Sequence, residues 1–164
     1  MAILAAYVVP HPPLIVPAVG RGEEKKIQKT VDAYHTIAQK IAAQKPSTIV
    51  FISPHATAYG DYFHIASGGG AYGDFTDFGA KEVRLQAEFD EEFIEKMSLL
   101  AQEKRIDAGT LGAGQRRLDH GVTVPLYFID QYIHDTRAVI LSVSGFSRQT
   151  HFDYGRCIDE AANA

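Results

Sequence analysis

Apolar runs separated by proline, glycine and charged residues divide the chain into alternating strands and helices. Residues 2–9 and 48–52 are apolar and rich in aliphatic side chains, a composition typical of buried strands in a parallel sheet. Residues 23–44 carry apolar residues at helical spacing, and Pro46 ends this predicted helix. A strand, a helix and a second strand in this order predict a β-α-β unit with two parallel, neighbouring strands and a right-handed crossover.

The rest of the chain continues this alternation. Further strands are predicted at residues 62–66, 83–89, 106–111 and 137–144. Further helices are predicted after Asp90, from residue 122 and over residues 149–164. The glycines of residues 68–73 predict a mobile loop. The fold class expected from this order is α/β, with residues 1–164 forming a single domain whose mixed, mostly parallel sheet is flanked by helices.

Both strands of the predicted β-α-β unit are followed by the dipeptide Pro-His. The first run reads Val8-Val9-Pro10-His11, and the second reads Ile52-Ser53-Pro54-His55. Proline stops a strand, and ligands of open α/β sheets bind at the carboxyl ends of the strands. His11 and His55 are therefore expected to face each other, and two neutral imidazoles so placed predict a metal site. The alternative is that each histidine caps its strand by hydrogen bonding to a loop carbonyl.

His120 is a third candidate for chemistry. It lies in Leu118-Asp119-His120-Gly121, at the start of a predicted helix. Backbone N–H groups at a helix start lower the pKa of a nearby imidazole and stabilise an anion, and Asp119 would fix the imidazole tautomer. The alternative is that Asp119 is the N-cap of the helix and that His120 has no role.

A third metal ligand is not defined by the pattern. Two histidines and one carboxylate on one face of an octahedron suit Fe(II), and they leave positions for a chelating substrate and O₂. Asp61, Glu88 and Asp90 are the carboxylates considered, and no motif selects among them. Because histidine and carboxylate ligands also bind Mn and Zn, the identity of the metal stays open.

Composition narrows the class of partner. The 164 residues carry a formal net charge of −4 and no basic cluster, which argues against a nucleic-acid partner. No apolar run approaches the roughly 20 residues of a membrane-spanning helix, so no membrane partner is expected. The single cysteine, Cys157, excludes an intrachain disulfide and a cysteine-based zinc site. This cysteine usage is typical of a cytoplasmic protein.

Three motifs in order resemble a known family. Val9-Pro10-His11-Pro12-Pro13, Ile52-Ser53-Pro54-His55 and Leu118-Asp119-His120-Gly121 are together similar to the class III extradiol ring-cleavage dioxygenases, of the protocatechuate 4,5-dioxygenase catalytic-subunit type. The resemblance implies that His11 and His55 are Fe(II) ligands and that His120 is catalytic, assisting by hydrogen bonding or proton transfer. It further implies that a small aromatic diol and O₂ are the substrates, and that the ring opens next to the diol with both oxygen atoms incorporated.

The chain departs from this family at its end. Family members continue into a further strand, a second active-site histidine and a glutamate ligand, so a C-terminally shortened chain is expected. Such a chain is expected either to form a homo-oligomer or to bind a complementing C-terminal segment. A non-enzymatic, Memo-like metal-binding or interaction protein on the same scaffold is the alternative function, and a zinc hydrolase using the same histidines is a third.

Overall fold

The computed structural model describes residues 2–112, 114 and 116–163, and these contain six strands and five α-helices. The strands are β1 (Thr48–Ser53), β2 (Phe63–His64), β3 (Gly70–Phe75), β4 (Ala80–Glu88), β5 (Ala108–Gly109) and β6 (Arg137–Ser142). The α-helices are α1 (Pro17–Gly20), α2 (Gln28–Gln44), α3 (Glu91–Glu103), α4 (His120–Ile129) and α5 (Arg148–Asn163). Short 3₁₀ helices cover Pro13–Ile15, Glu23–Ile27 and Thr76–Phe78.

The strands pair mostly in parallel. β1 pairs with β6 and β2 pairs with β5 in parallel, whereas β3 and β4 form an antiparallel pair. Isolated bridges from Ile65 to Leu141 and from Phe89 to Ala138 join the neighbouring segments to β6. Three strand pairs, two of them parallel, packed with α-helices confirm the α/β class in a single domain.

Aromatic and aliphatic side chains of the strands and helices form one core. The helices pack in two pairs, α2 with α4 and α3 with α5. Tyr34 of α2 stacks on Phe128 of α4 with ring centroids 4.6 Å apart, and Phe63 stacks on Tyr154 of α5 at 4.3 Å. In the described part of the chain, no helix combines the length and the apolar character needed to cross a membrane.

The predicted first strand is wrong. Residues 2–9 have no strand pairing, and residues 2–8 are exposed. A cavity of about 800 Å³ is lined by these residues and by β1. A strand requires a hydrogen-bonded neighbour about 4.8 Å away, and the cavity keeps residues 2–9 from the edge of β1. The predicted β-α-β unit is therefore not closed, although its helix and its second strand form.

The predicted mobile loop at residues 68–73 is also wrong in part, because β3 begins at Gly70. A Cβ atom on Gly73 would lie 2.3 Å from Cγ2 of Thr123 in α4. Because Gly73 has no side chain, α4 packs closely on β3. Such a close approach is one of the reasons why a glycine occurs inside a strand.

Candidate metal centre

His11 is held by the loop that contains Pro10, and no strand is needed to place it. The hydroxyl of Tyr34, on α2, donates a hydrogen bond to the Pro10 carbonyl. Burial raises the pKa of Tyr34 well above its usual range, so this hydroxyl stays protonated and remains a donor. The following prolines fix φ, and the chain turns into a 3₁₀ helix at Pro13–Ile15. These restraints fix the backbone on both sides of His11.

His55 follows the carboxyl end of β1. The strand ends at Ser53, and Pro54 prevents its continuation. The His55 backbone N–H donates to Oγ of Ser53 at 3.2 Å, which closes a tight local turn. Whereas Ser53 is buried, the His55 residue is exposed. The imidazole therefore lies at the surface on a backbone that is anchored in the sheet.

His120 is the first residue of α4, and Asp119 is the N-cap. Oδ1 of Asp119 accepts hydrogen bonds from the Gly121 N–H at 2.7 Å and from Oγ of Ser53 at 2.6 Å. The expectation that Asp119 is the N-cap is confirmed, and the catalytic role of His120, which lies beside the other two histidines, stays a prediction. Ser53 connects the His55 turn to the start of α4, and this link was not predicted from the sequence.

The three imidazoles converge. Ring centroids are 5.2 Å apart for His11 and His55, 4.0 Å for His55 and His120, and 5.6 Å for His11 and His120. One nitrogen from each ring lies within 4.8 Å of the other two. Burial, reinforced by the neighbouring His55, lowers the pKa of His120, so its imidazole is mainly neutral at pH 7. Neutral imidazoles are the form that ligates metals.

The donor set fits a divalent transition metal. Nε2 of His11 and Nε2 of His55 are 3.1 Å apart. This separation is short enough for one ion to lie at the usual distance of about 2.0–2.1 Å from both nitrogens. Imidazole is a suitable ligand for Fe, Zn, Cu and Ni. His11 and His55 therefore have the spacing of ligands that share one ion, and His120 is close enough either to join them or to act beside them.

None of the three carboxylates considered from the sequence joins this cluster, within the residues that the structure describes. Asp90 is the N-cap of α3, and its carboxylate accepts from the Phe93 N–H and from Nη1 of Arg137, both at 3.2 Å. Asp61 and Glu88 are exposed and lie outside the group of three histidines. The residues described thus supply imidazole ligands alone.

An aromatic side chain borders the cluster. The Phe78 ring meets His120 edge to face, with centroids 5.6 Å apart and planes at 72°. Phe78 is 40% exposed, in the 3₁₀ helix at Thr76–Phe78. Phe78 was not predicted from the sequence. The one signal for it there is an aromatic residue in a polar loop.

Comparison with known proteins assigns the chain to a family. The family model for the catalytic LigB subunit of aromatic ring-opening dioxygenase matches residues 5–164. The chain belongs to this family. It is also 34% identical over 168 residues to Protein CA_C1420 of Clostridium acetobutylicum, an alignment that covers 98% of this chain and 36% of that protein. The chain thus spans little more than a third of the length of this curated relative.

Proposed function

We propose that this LigB-family chain contributes the histidine cluster of a ferrous-iron-dependent extradiol dioxygenase that opens catechol-type rings. The observation that carries the proposal is the convergence of His11, His55 and His120 at one point of the surface. His11 and His55 hold the metal, and His120 interacts with the substrate. Fe(II), when bound, supplies the open coordination positions and redox chemistry that side chains lack.

The residues around the metal position have separate tasks. His120 is placed to accept a hydrogen bond or a proton from a substrate hydroxyl, a role that suits a neutral imidazole. Phe78 provides an aromatic edge beside His120, suited to a flat ring. In the overall reaction the carbon–carbon bond next to the diol breaks and both atoms of O₂ enter the product, so no external reductant is required.

A metal-binding protein without oxygenase activity is the second candidate. Among the residues described, no carboxylate completes the three histidines, and this favours metal binding that is separate from catalysis. In this function the chain binds a divalent ion at His11 and His55, and interaction behaviour does not depend on catechol or O₂.

The experiment measures O₂ consumption by Fe(II)-loaded protein with catechol, together with the absorbance of a yellow ring-opened product. The chain is assayed alone and after co-expression with the portion of CA_C1420 that it does not match. We expect one O₂ consumed per product molecule in at least one sample, and loss of turnover in His120→Ala. Bound Fe(II) with no O₂ uptake in either sample would reject the dioxygenase and favour the binding protein.

Replacing Ser53 by alanine is expected to weaken metal binding by about 10–100-fold, the usual cost of losing a partner that orients ligands. The hydroxyl accepts from the His55 N–H and donates to Asp119, so its loss releases two of the three histidine-bearing segments. Anaerobic Fe(II) titration measures the affinity.

Ser142→Ala is the matched control. Ser142 is paired with Ser53 at the same end of β6, is equally buried, and accepts a hydrogen bond from the His64 N–H. Both variants are expected to lose about 1–3 kcal/mol of stability, but only Ser53→Ala should change metal affinity. Equal affinities in the two variants would show that Ser53 does not position the histidines.

A further inference from the structure

The 3₁₀ helix that carries Phe78 is bound at its start to the segment that precedes α4. Nη2 of Arg117 lies 2.9 Å from Oδ1 of Asp74 and 3.3 Å from Oδ2 of Asp77. The same Asp74 oxygen accepts a hydrogen bond from the Thr76 N–H at 2.9 Å. The hydrogen bonds from Thr76, together with the guanidinium of Arg117, lower the pKa of Asp74, so its carboxylate stays charged at neutral pH.

The end of this 3₁₀ helix is held by a second arginine, Arg21. Its Nη2 donates a hydrogen bond to the Gly79 carbonyl at 3.0 Å. A Cβ atom on Gly79 would lie 3.3 Å from the same Nη2, so the guanidinium also lies close to the Gly79 α-carbon. Gly79 directly follows Phe78, whose ring meets His120 with centroids 5.6 Å apart. The Arg21 contact is therefore one residue away from the aromatic side chain that borders the metal centre.

The backbone of Arg21 adopts a conformation that is rare for arginine. Its φ is +49° and its ψ is 36°, in the left-handed region that is strained for L residues and that glycine favours at the end of a helix. Gly22 follows at a φ of +106°, and its N–H donates to Oε2 of Glu24 at 2.7 Å, which closes the loop. Glycine would fit position 21 without strain, so the strain accompanies a side-chain contact that glycine cannot make.

The loop that contains Arg21 packs against the segment that follows His11. A Cβ atom on Gly20 would lie 2.3 Å from the carbonyl oxygen of Leu14 and 2.5 Å from Oε2 of Glu24, which is buried. Leu14 is three residues after His11 and belongs to the 3₁₀ helix at Pro13–Ile15. Arg21 thus extends from a closely packed backbone on the His11 side of the cluster to the turn on the His120 side.

We propose that Arg21 is a positioning residue for an aromatic wall, the Phe78 ring beside His120, at the metal centre. Its hydrogen bond to Gly79 holds the Phe78 ring against His120, and the ring of a bound catechol packs on this wall. Arg21 acts through Phe78 and does not touch the ligand. The nature of the ligand rests on the proposed function, whereas the placement of Phe78 does not.

Arg21→Gly separates the side chain of this residue from its backbone conformation. Glycine adopts a positive φ without strain, so we expect this variant to unfold at the same temperature as the unmodified chain or at a higher one. Lys45→Gly is the matched control, because Lys45 has a φ of +48° and is the C-cap of α2. Lys45 precedes the amino end of β1, whereas His55 follows its carboxyl end, so this control lies away from the metal centre.

The first measurement needs neither metal nor ligand. In the NMR spectrum of the metal-free chain, the ring current of Phe78 shifts the resonances of the His120 ring protons. Arg21→Gly should move these resonances toward their positions in Phe78→Ala, and Lys45→Gly should leave them in place. His120 resonances that do not move in Arg21→Gly would overturn the proposal, whatever the function of the chain.

The second measurement is the affinity of the Zn(II)-loaded chain for 4-nitrocatechol, followed by the absorbance of this ligand. One aromatic contact corresponds to about two- to tenfold in affinity. We expect a loss in this range in both Arg21→Gly and Phe78→Ala, with the affinity for Zn(II) itself unchanged. Because Arg21 acts through Phe78, the double variant should bind no more weakly than Phe78→Ala alone.

Two affinity results would overturn the proposal. Losses that add in the double variant would mean that Arg21 acts on the ligand independently of Phe78. An equal loss in Lys45→Gly would mean that it comes from the added glycine and not from the missing guanidinium. If the unmodified chain did not bind 4-nitrocatechol, the catechol site of the proposed function would be rejected, and the NMR shifts would by themselves decide whether Arg21 positions Phe78.

Discussion

His55→Ala is expected to weaken binding of Fe(II) or Zn(II) by about 100-fold or more, because loss of a partner that merely orients a ligand already costs about 10–100-fold. The Nε2 atom of His55 lies 3.1 Å from that of His11, and its ring lies 4.0 Å from that of His120. Removing this ring leaves the other two histidines 5.6 Å apart between centroids. Anaerobic titration, with metal content measured after gel filtration, gives the affinity and the stoichiometry.

The control for this prediction is His134→Ala. His134 is exposed, follows α4 and lies outside the cluster of three histidines. Both substitutions remove exposed side chains, so each should change the free energy of unfolding by no more than about 0.5 kcal/mol. If His134→Ala lowered the affinity as much as His55→Ala does, metal binding would be a property of surface histidines in general.

Phe128→Ala is expected to lower the free energy of unfolding by about 3–5 kcal/mol, the usual cost of removing a buried phenylalanine ring. Phe128 is 1% exposed and contacts three rings: it stacks on Tyr34 and meets Tyr127 and His35 edge to face. The effect is a large part of the total stability of a typical domain, about 5–15 kcal/mol. Chemical denaturation followed by circular dichroism measures it.

The same substitution links the core to the site. Tyr34 packs on Phe128 and donates its hydroxyl to the Pro10 carbonyl, so a cavity at Phe128 loosens the loop that presents His11. Phe152→Ala is the matched control, because Phe152 is 65% exposed and should change stability by about 0.5 kcal/mol or less. Equal destabilisation by the two variants would contradict the assigned core.

The histidine cluster was predictable because its signals are local. Proline ends β1 in front of His55, and Asp119 begins α4 in front of His120, so the sequence alone places both residues at element ends. His11 lies next to His55, as predicted, but the strand that was expected to position it does not form. It lies beside His55 although residues 2–9 are not a strand, since the Tyr34 hydroxyl and the prolines fix its loop.

The pairing of strands was harder to predict, because it depends on partners far apart in the chain. Residues 2–9 have the composition of a buried strand, but composition does not reveal whether a neighbouring edge is within hydrogen-bonding distance. The same limit applies to Ser53, whose hydroxyl bonds to Asp119 66 positions away in the sequence. Such side-chain contacts between loops leave no periodic signal, so they become visible only in the folded chain.

X-ray absorption at the iron edge of the Fe(II)-loaded chain measures whether imidazole nitrogens ligate the metal. We expect one Fe(II) per chain with the scattering of at least two imidazoles, and loss of that scattering in the His11→Ala, His55→Ala double variant. An iron environment without imidazole scattering, or one that the double variant leaves unchanged, would contradict the assignment of this histidine cluster as a metal centre.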